Sequence, residues 1–195
     1  NKKVGIETGD PRQFQDFNAL YEAFRKQLEY IVDIKIRVNN YIERMYATHA
    51  PAPFLSVVIS DCIAKGKDYY NAGARYNTNY IQCCGIGTIT DSLSAIKKHV
   101  FEEKEITMEQ LMDALNRNFK NQEKLRLRLF NKTPFYGNDD DDADSIMQRV
   151  FSSLYGAIDG KANTKNSFYH LNMLSTTCHI YFGKKLGASA HGRMA

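Results

Sequence analysis

The stretch that decides the fold opens with Gly73-Ala74-Arg75-Tyr76-Asn77 and closes with Gly85-Ile86-Gly87-Thr88-Ile89-Thr90-Asp91-Ser92-Leu93. Glycines at 73, 85 and 87 supply either positive φ angles for tight turns or room for a close backbone approach. Between the two blocks, Tyr80-Ile81-Gln82-Cys83-Cys84-Gly85 reads as a strand or extended segment. After it, Thr90 offers a hydroxyl to cap the free amides of a helix running to about Glu102. An extended segment, a glycine-dependent turn and a capped helix in that order predict a mixed α/β unit.

Towards the N-terminus, Gly5, Gly9 and Pro11 punctuate an irregular segment. From Asp16 the apolar residues Leu20, Phe24, Leu28, Ile31, Val38, Ile42 and Met45 recur at helical spacing and predict one long helix with that face in the core. Pro51 and Pro53 end it, because proline lacks an amide donor and disfavours helix in the residue before it. Phe54 to Ile59 fits a strand or a helix start, and a helix through Asp61-Cys62-Ile63 is the preferred reading. Towards the C-terminus, Thr107 to Gln110 forms a capping box ahead of Leu111, Leu115 and Phe119. A short helix follows from Gln122 to Phe130. Asp139 to Asp142 then precede a broad apolar stripe from Ile146 to Ile158 that stops near Gly160. Lys161 to Phe168 reads as a loop, and Cys178 to Phe182 as a strand closed by Gly183.

The chain has 195 residues, 43% of them hydrophobic, enough for a buried core. Its 26 basic and 22 acidic residues are interleaved, so the net charge of +4 describes a mixed solvated surface rather than a nucleic-acid or membrane patch. No apolar run approaches the roughly 18 residues of a membrane span. Four cysteines without repeated spacing argue against a zinc site and a disulfide framework, and point to a reducing cytoplasm.

Individual candidates favour structure over chemistry. Adjacent Cys83 and Cys84 are expected to be buried. The glycine blocks lack the Gly-Lys-Ser/Thr and dinucleotide patterns that hold phosphate. Asp91 is expected to favour a helix dipole. The aspartate run lacks the glycine and distal glutamate of a calcium loop and suits a helix N-terminus. His179, in the expected strand, could switch with pH, ligate or donate a proton, although a hydrogen-bonded structural histidine is commoner. Arg75, Tyr76 and Asn77 are expected to hold their loop.

Two further blocks, Gly5-Ile6-Glu7-Thr8-Gly9-Asp10-Pro11 and Thr176-Thr177-Cys178-His179-Ile180-Tyr181-Phe182-Gly183, lie in one order with the glycine blocks. Together they resemble the glycyl radical enzymes, the pyruvate formate-lyase-like family, from about Val4 to Ala195. The resemblance implies a helix-rich α/β fold, part of a ten-stranded α/β barrel. It also implies a Cys-x-Glu loop and an Arg-Val-x-Gly-Tyr loop, neither of which occurs in this chain. The expectation is therefore an internal segment, residues 1 to 195, of a barrel domain, inactive by itself.

The implied activity is that of a radical dehydratase removing water from a hydroxylated small molecule, trans-4-hydroxy-L-proline on the match of the blocks. Alternatives are a glycerol or propanediol dehydratase, a choline lyase, a formate acetyltransferase or an arylacetate decarboxylase of the same family. From another class, a noncatalytic helical interaction module stays open. The resemblance further implies a glycyl radical on a glycine outside this chain, no bound metal, an S-adenosylmethionine-dependent activating enzyme with an iron-sulfur cluster, and a homodimer. It places Thr176 at the substrate cavity with Leu174 as a wall residue. A threonine bonded only to backbone is the alternative at 176.

Overall fold

Asp16 starts the longest element by accepting the Ala19 amide at its Oδ1, 2.8 Å away. The helix it caps, α1, runs Phe17–His49 and ends where Pro51 and Pro53 cannot continue it. The computed structural model describes residues 4–174 and 177–195. These fall into two compact units. Among the described residues no helix is long and apolar enough to cross a membrane.

One unit contains the described residues 4–5, Leu28–Gln82 and Leu154–Asn172. Helices α2 (Pro53–Ser56) and α3 (Ser60–Lys65) fall where a helix through Asp61-Cys62-Ile63 was expected. Asp68 holds this region together. Its Oδ2 accepts the Ser56 hydroxyl at 2.7 Å and the Ala52 amide at 2.9 Å, and its Oδ1 accepts the Tyr70 amide at 2.9 Å. Gly73 is required for space, since a Cβ there would stand 2.2 Å from the Lys67 carbonyl oxygen and 2.7 Å from Cys62 Sγ. Asn77 Nδ2 donates to the Ala74 carbonyl at 3.0 Å and Arg75 pairs with Asp61 at 3.2 Å, so both hold the loop as expected.

Strands β1 (Asn79–Gln82) and β2 (Tyr169–Asn172) pair in parallel, Asn79 opposite Tyr169 and Gln82 opposite Asn172. The face of α1 beside them is mixed. Val32 and Ile36 are buried, and one and two turns on come Asn40 and Glu43. Asn40 Oδ1 accepts the hydroxyl of fully buried Tyr169 at 2.9 Å. Glu43 accepts Asn79 Nδ2, the Thr164 hydroxyl at 2.6 Å and the Thr164 amide at 3.2 Å, with Lys165 Nζ 3.4 Å away. Burial opposes ionisation of Glu43, but the hydrogen bonds from Thr164 and Asn79 and the charge of Lys165 prevail and hold its carboxyl below the ordinary range. The apolar stripe expected in the core is therefore corrected: Ile31, Val38, Ile42 and Met45 are exposed. A count of apolar residues misses an inward face completed by an amide and a carboxylate.

The other unit contains the described residues of Ile6–Gln27, Cys83–Ser153 and Met173–Ala195. Gln27 Nε2 donates to the Ile6 carbonyl at 2.6 Å and Thr8 Oγ1 at 3.0 Å, fastening the N-terminal segment to α1. Asp10 is held at a pKa of about 2 by its hydrogen bonds from Arg12. Helix α4 (Ile86–Ile96) begins at Gly85, whose φ of 88° favours glycine. Gly87 lies inside that helix with neither positive φ nor a close neighbour. Thr90 is thus a fully buried residue within α4 rather than its cap, because the left-handed Gly85 starts the helix earlier. Asp91 likewise sits in the second turn, where its Oδ1 accepts the Tyr136 amide at 3.0 Å.

A π-helical turn, Lys97–Glu102, extends α4. The capping box at Thr107 starts α5 (Met108–Asn116) as expected, while Phe119 is buried from the turn beyond it, at φ 55°. Helix α6 (Glu123–Lys132) follows. Asp140 Oδ1 caps α7 (Asp141–Ile158) by accepting the Asp142 and Ala143 amides, both at 3.1 Å, which gives the aspartate run its helix-starting role. Leu93, Leu111, Ala114, Leu129, Ile146 and Val150 form much of the core. Buried Tyr21 joins it through a 2.9 Å bond to Ser153 and the Arg149 guanidinium 3.7 Å from its ring centroid. The expected strand at Cys178 to Phe182 is instead helix α8 (His179–Gly183). Five alternating or apolar residues do not separate a short strand from a helical turn.

Candidate functional site

The turn from β1 into α4 and the segment carrying α8 border one cavity of about 500 Å³. Cys84, Gly85, Thr88 and Ser92 contribute one part of its lining, and Phe182 and Leu186 another. Local sequence explains the arrangement. Gly85 turns the chain sharply, so Cys84 before it and the first turns of α4 after it face the same space. Cys84 Sγ lies 3.1 Å from Sγ of Cys178, the residue that precedes α8. Cys83 and Cys84 are half-buried rather than fully enclosed, and burial raises the Cys83 thiol above its ordinary value, helped by Cys84.

Behind the cavity, Ser92 donates its hydroxyl proton to the Thr88 carbonyl at 2.7 Å. Its oxygen therefore accepts from His191 Nδ1, 3.2 Å away. That arrangement fixes a histidine tautomer and leaves His191 unable to take the serine proton, so the pair positions side chains instead of activating a nucleophile. Burial lowers the His191 pKa, and Phe135 meets its ring edge-on at 5.9 Å. Burial also raises Asp91, partly offset by the Tyr136 amide and by His191.

His99, Glu103 and Glu105 bring potential ligand atoms within 4.8 Å of one another. The ring nitrogens of buried His99 are already engaged. Nδ1 lies 3.0 Å from Glu105 and Nε2 lies 3.2 Å from Thr133 Oγ1, which donates its own proton to Leu129 at 2.6 Å. Because Thr133 gives its own proton to Leu129, Nε2 is the donor in its pair, and Nδ1 alone faces the carboxylates.

The sequence-derived pocket residues are Leu174 and Thr176. Leu174 follows β2 and is 63% exposed, while Thr176 lies outside the described residues. His179 is exposed at the start of α8. Sequence reasoning missed the meeting of Cys84 with Cys178, which are 94 positions apart. It also missed Ser92 with His191. No short-range spacing signals either pair.

Comparison with known proteins adds a consistent picture. The family model described as pyruvate formate lyase-like matches residues 1–183. The trans-4-hydroxy-L-proline dehydratase of Clostridioides difficile is 54% identical over 99% of this chain, which spans 24% of that protein. A crystal structure of the hydroxyproline dehydratase from that organism, with trans-4-hydroxy-L-proline bound, matches 97% of this chain and 24% of its own at a TM-score of 0.92. The glycerol-bound B12-independent glycerol dehydratase of Clostridium butyricum is 33% identical, with a TM-score of 0.93 over 100% of this chain and 25% of its own. The chain thus spans about a quarter of the length of these relatives. It carries the corresponding part of their helix-rich α/β barrel fold.

Proposed function

Because this chain belongs to the pyruvate formate lyase-like family, we propose that it forms part of the barrel domain of a glycyl radical dehydratase that eliminates water from trans-4-hydroxy-L-proline. The observation that carries this reading is identity of 54% to the dehydratase of that substrate along nearly the whole chain, against 33% to the glycerol enzyme at equal structural likeness. Shared fold does not choose a substrate, whereas agreement in side chains bears on it.

Hydrogen abstraction is supplied by groups outside these 195 residues: a glycine-borne radical and a cysteine in a Cys-x-Glu loop. An iron-sulfur activating enzyme using S-adenosylmethionine generates the radical, and the whole enzyme works as a cytoplasmic homodimer. These partners rest on the family resemblance. The residues present here supply scaffold and substrate wall, with Thr176 and Leu174 bordering the substrate. The exposed apolar side chains of α1, Val38, Ile42 and Met45 among them, suit a surface covered by the rest of such a polypeptide.

The test uses full-length enzyme activated to equal radical content and offered trans-4-hydroxyproline, glycerol or choline. Preferred turnover of hydroxyproline is expected. Thr176→Val should keep radical formation and lower catalytic efficiency several-fold, the scale of one net hydrogen bond of about 1 kcal/mol. Turnover of glycerol or choline in preference overturns the substrate assignment. Unchanged kinetics in the variant removes Thr176 from the pocket.

A further inference from the structure

Four cysteines occur in the chain, and two of them, from segments 94 positions apart, bring their sulfurs to 3.1 Å. Cys84 is held by the turn at Gly85, and Cys178 immediately precedes α8. Both are half-buried, which leaves them open to a small oxidant. Closing them to a sulfur–sulfur bond of about 2.05 Å needs a movement of about 1 Å, within reach of side-chain torsions. The other cysteines are less suited. Cys62 is buried in the other unit, and burial keeps the Cys83 thiol protonated to higher pH.

We propose that Cys84 and Cys178 form an oxidisable dithiol that closes to a disulfide in the presence of a peroxide and ties α8 to the turn entering α4. The reaction balances in two steps. One thiolate attacks a peroxide oxygen, forming a sulfur–oxygen bond as the oxygen–oxygen bond breaks and hydroxide leaves. The second thiol then attacks the resulting sulfenic sulfur, forming the disulfide as hydroxide leaves, and the two thiol protons convert both hydroxides to water. Two thiols are oxidised and one hydrogen peroxide is reduced to two waters.

The consequence lies in the cavity. Cys84 and Gly85 line it from one segment, and Phe182 and Leu186 line it from the other. A covalent tie between these segments fixes the spacing of the walls, making the shape of the cavity depend on oxidation. This holds whichever substrate the enzyme takes.

The experiment uses full-length enzyme, freed of reductant without air, treated with one equivalent of hydrogen peroxide, alkylated and digested without reduction. A peptide pair joining Cys84 to Cys178, two hydrogens lighter than the separate peptides, is expected. Cys84→Ser and Cys178→Ser should each abolish it, while Cys83→Ser should leave it. Hydrogen exchange at amides 179–186 should slow several-fold on oxidation of the parent and stay unchanged in Cys178→Ser. Joining of Cys83 instead, sulfinic acid on Cys84 without a joined pair, or unaltered exchange after the bond has formed would overturn the proposal.

Discussion

Around β1 and β2, one carboxylate gathers the surrounding polar groups: Glu43 accepts from Asn79 and twice from Thr164, with Lys165 beside it. Around α4 the balance is reversed. The hydroxyls of Thr90 and Ser94 are buried without a hydrogen-bond partner among the described residues, and a cavity of about 500 Å³ lies beside the same helix. The first region is specified by directional bonds that fix a strand register, and the loss of one acceptor leaves several donors stranded. The second is held by apolar packing, which tolerates space. Both regions use glycine, for different reasons: Gly73 because no Cβ fits, Gly85 because of its positive φ.

The sharpest way to break the first region is Gly73→Ala. Two backbone carbonyls and the Cys62 sulfur stand in the way of the new methyl group, and backbone cannot swing aside as a side chain can. A loss of about 4 kcal/mol is expected, the scale of severe overpacking, read as accelerated native-state hydrogen exchange at amides 62–74 of the full-length protein. Exchange indistinguishable from the parent would show that the loop relaxes freely.

Glu43→Gln should cost less, about 2 kcal/mol, because one acceptor oxygen survives while the new amide group faces donors. The parent should also respond to acid. Since the folded carboxyl titrates below its ordinary value, its contribution is full above the unfolded pKa of about 4.3 and is lost as pH falls through the folded value. Exchange at amides 79–82, followed between pH 7 and 3, should show that loss in the parent and a flatter profile in the variant. Parallel profiles would remove Glu43 as the titrating anchor.

The smallest effect is expected from Thr90→Val, which keeps the shape and removes a buried unpartnered hydroxyl. It should be neutral or stabilising by up to about 1 kcal/mol in the melting of the full-length enzyme. A clear destabilisation would mean that segments beyond these residues satisfy the hydroxyl, and the contrast between the two regions would narrow.

Much of the secondary structure was legible from local rules. The apolar spacing and proline stops of α1, the capping box at Thr107 and the aspartates ahead of α7 each act within one or two helical turns, so neighbouring residues suffice to reveal them. Where local rules competed, the reading failed. Thr90 is a good capping residue, but the left-handed Gly85 had already opened the helix; Cys178 to Phe182 is too short for periodicity to separate strand from helix. The glycine blocks also carried the family resemblance, since special backbone geometry leaves a readable residue-by-residue trace.

The candidate site was legible only in part. Cys83-Cys84-Gly85 and the block ending at Gly183 were singled out from the sequence, but not their convergence on one cavity. Sequence alone therefore determined most of the helices, the proline stops of α1 and the family, because these depend on hydrogen bonds and torsions among near neighbours. Only the tertiary structure decided that Glu43 belongs to an inward face, that Cys84 meets Cys178 and that Ser92 meets His191. Such pairings join residues roughly a hundred positions apart, and only packing of the whole chain brings them together.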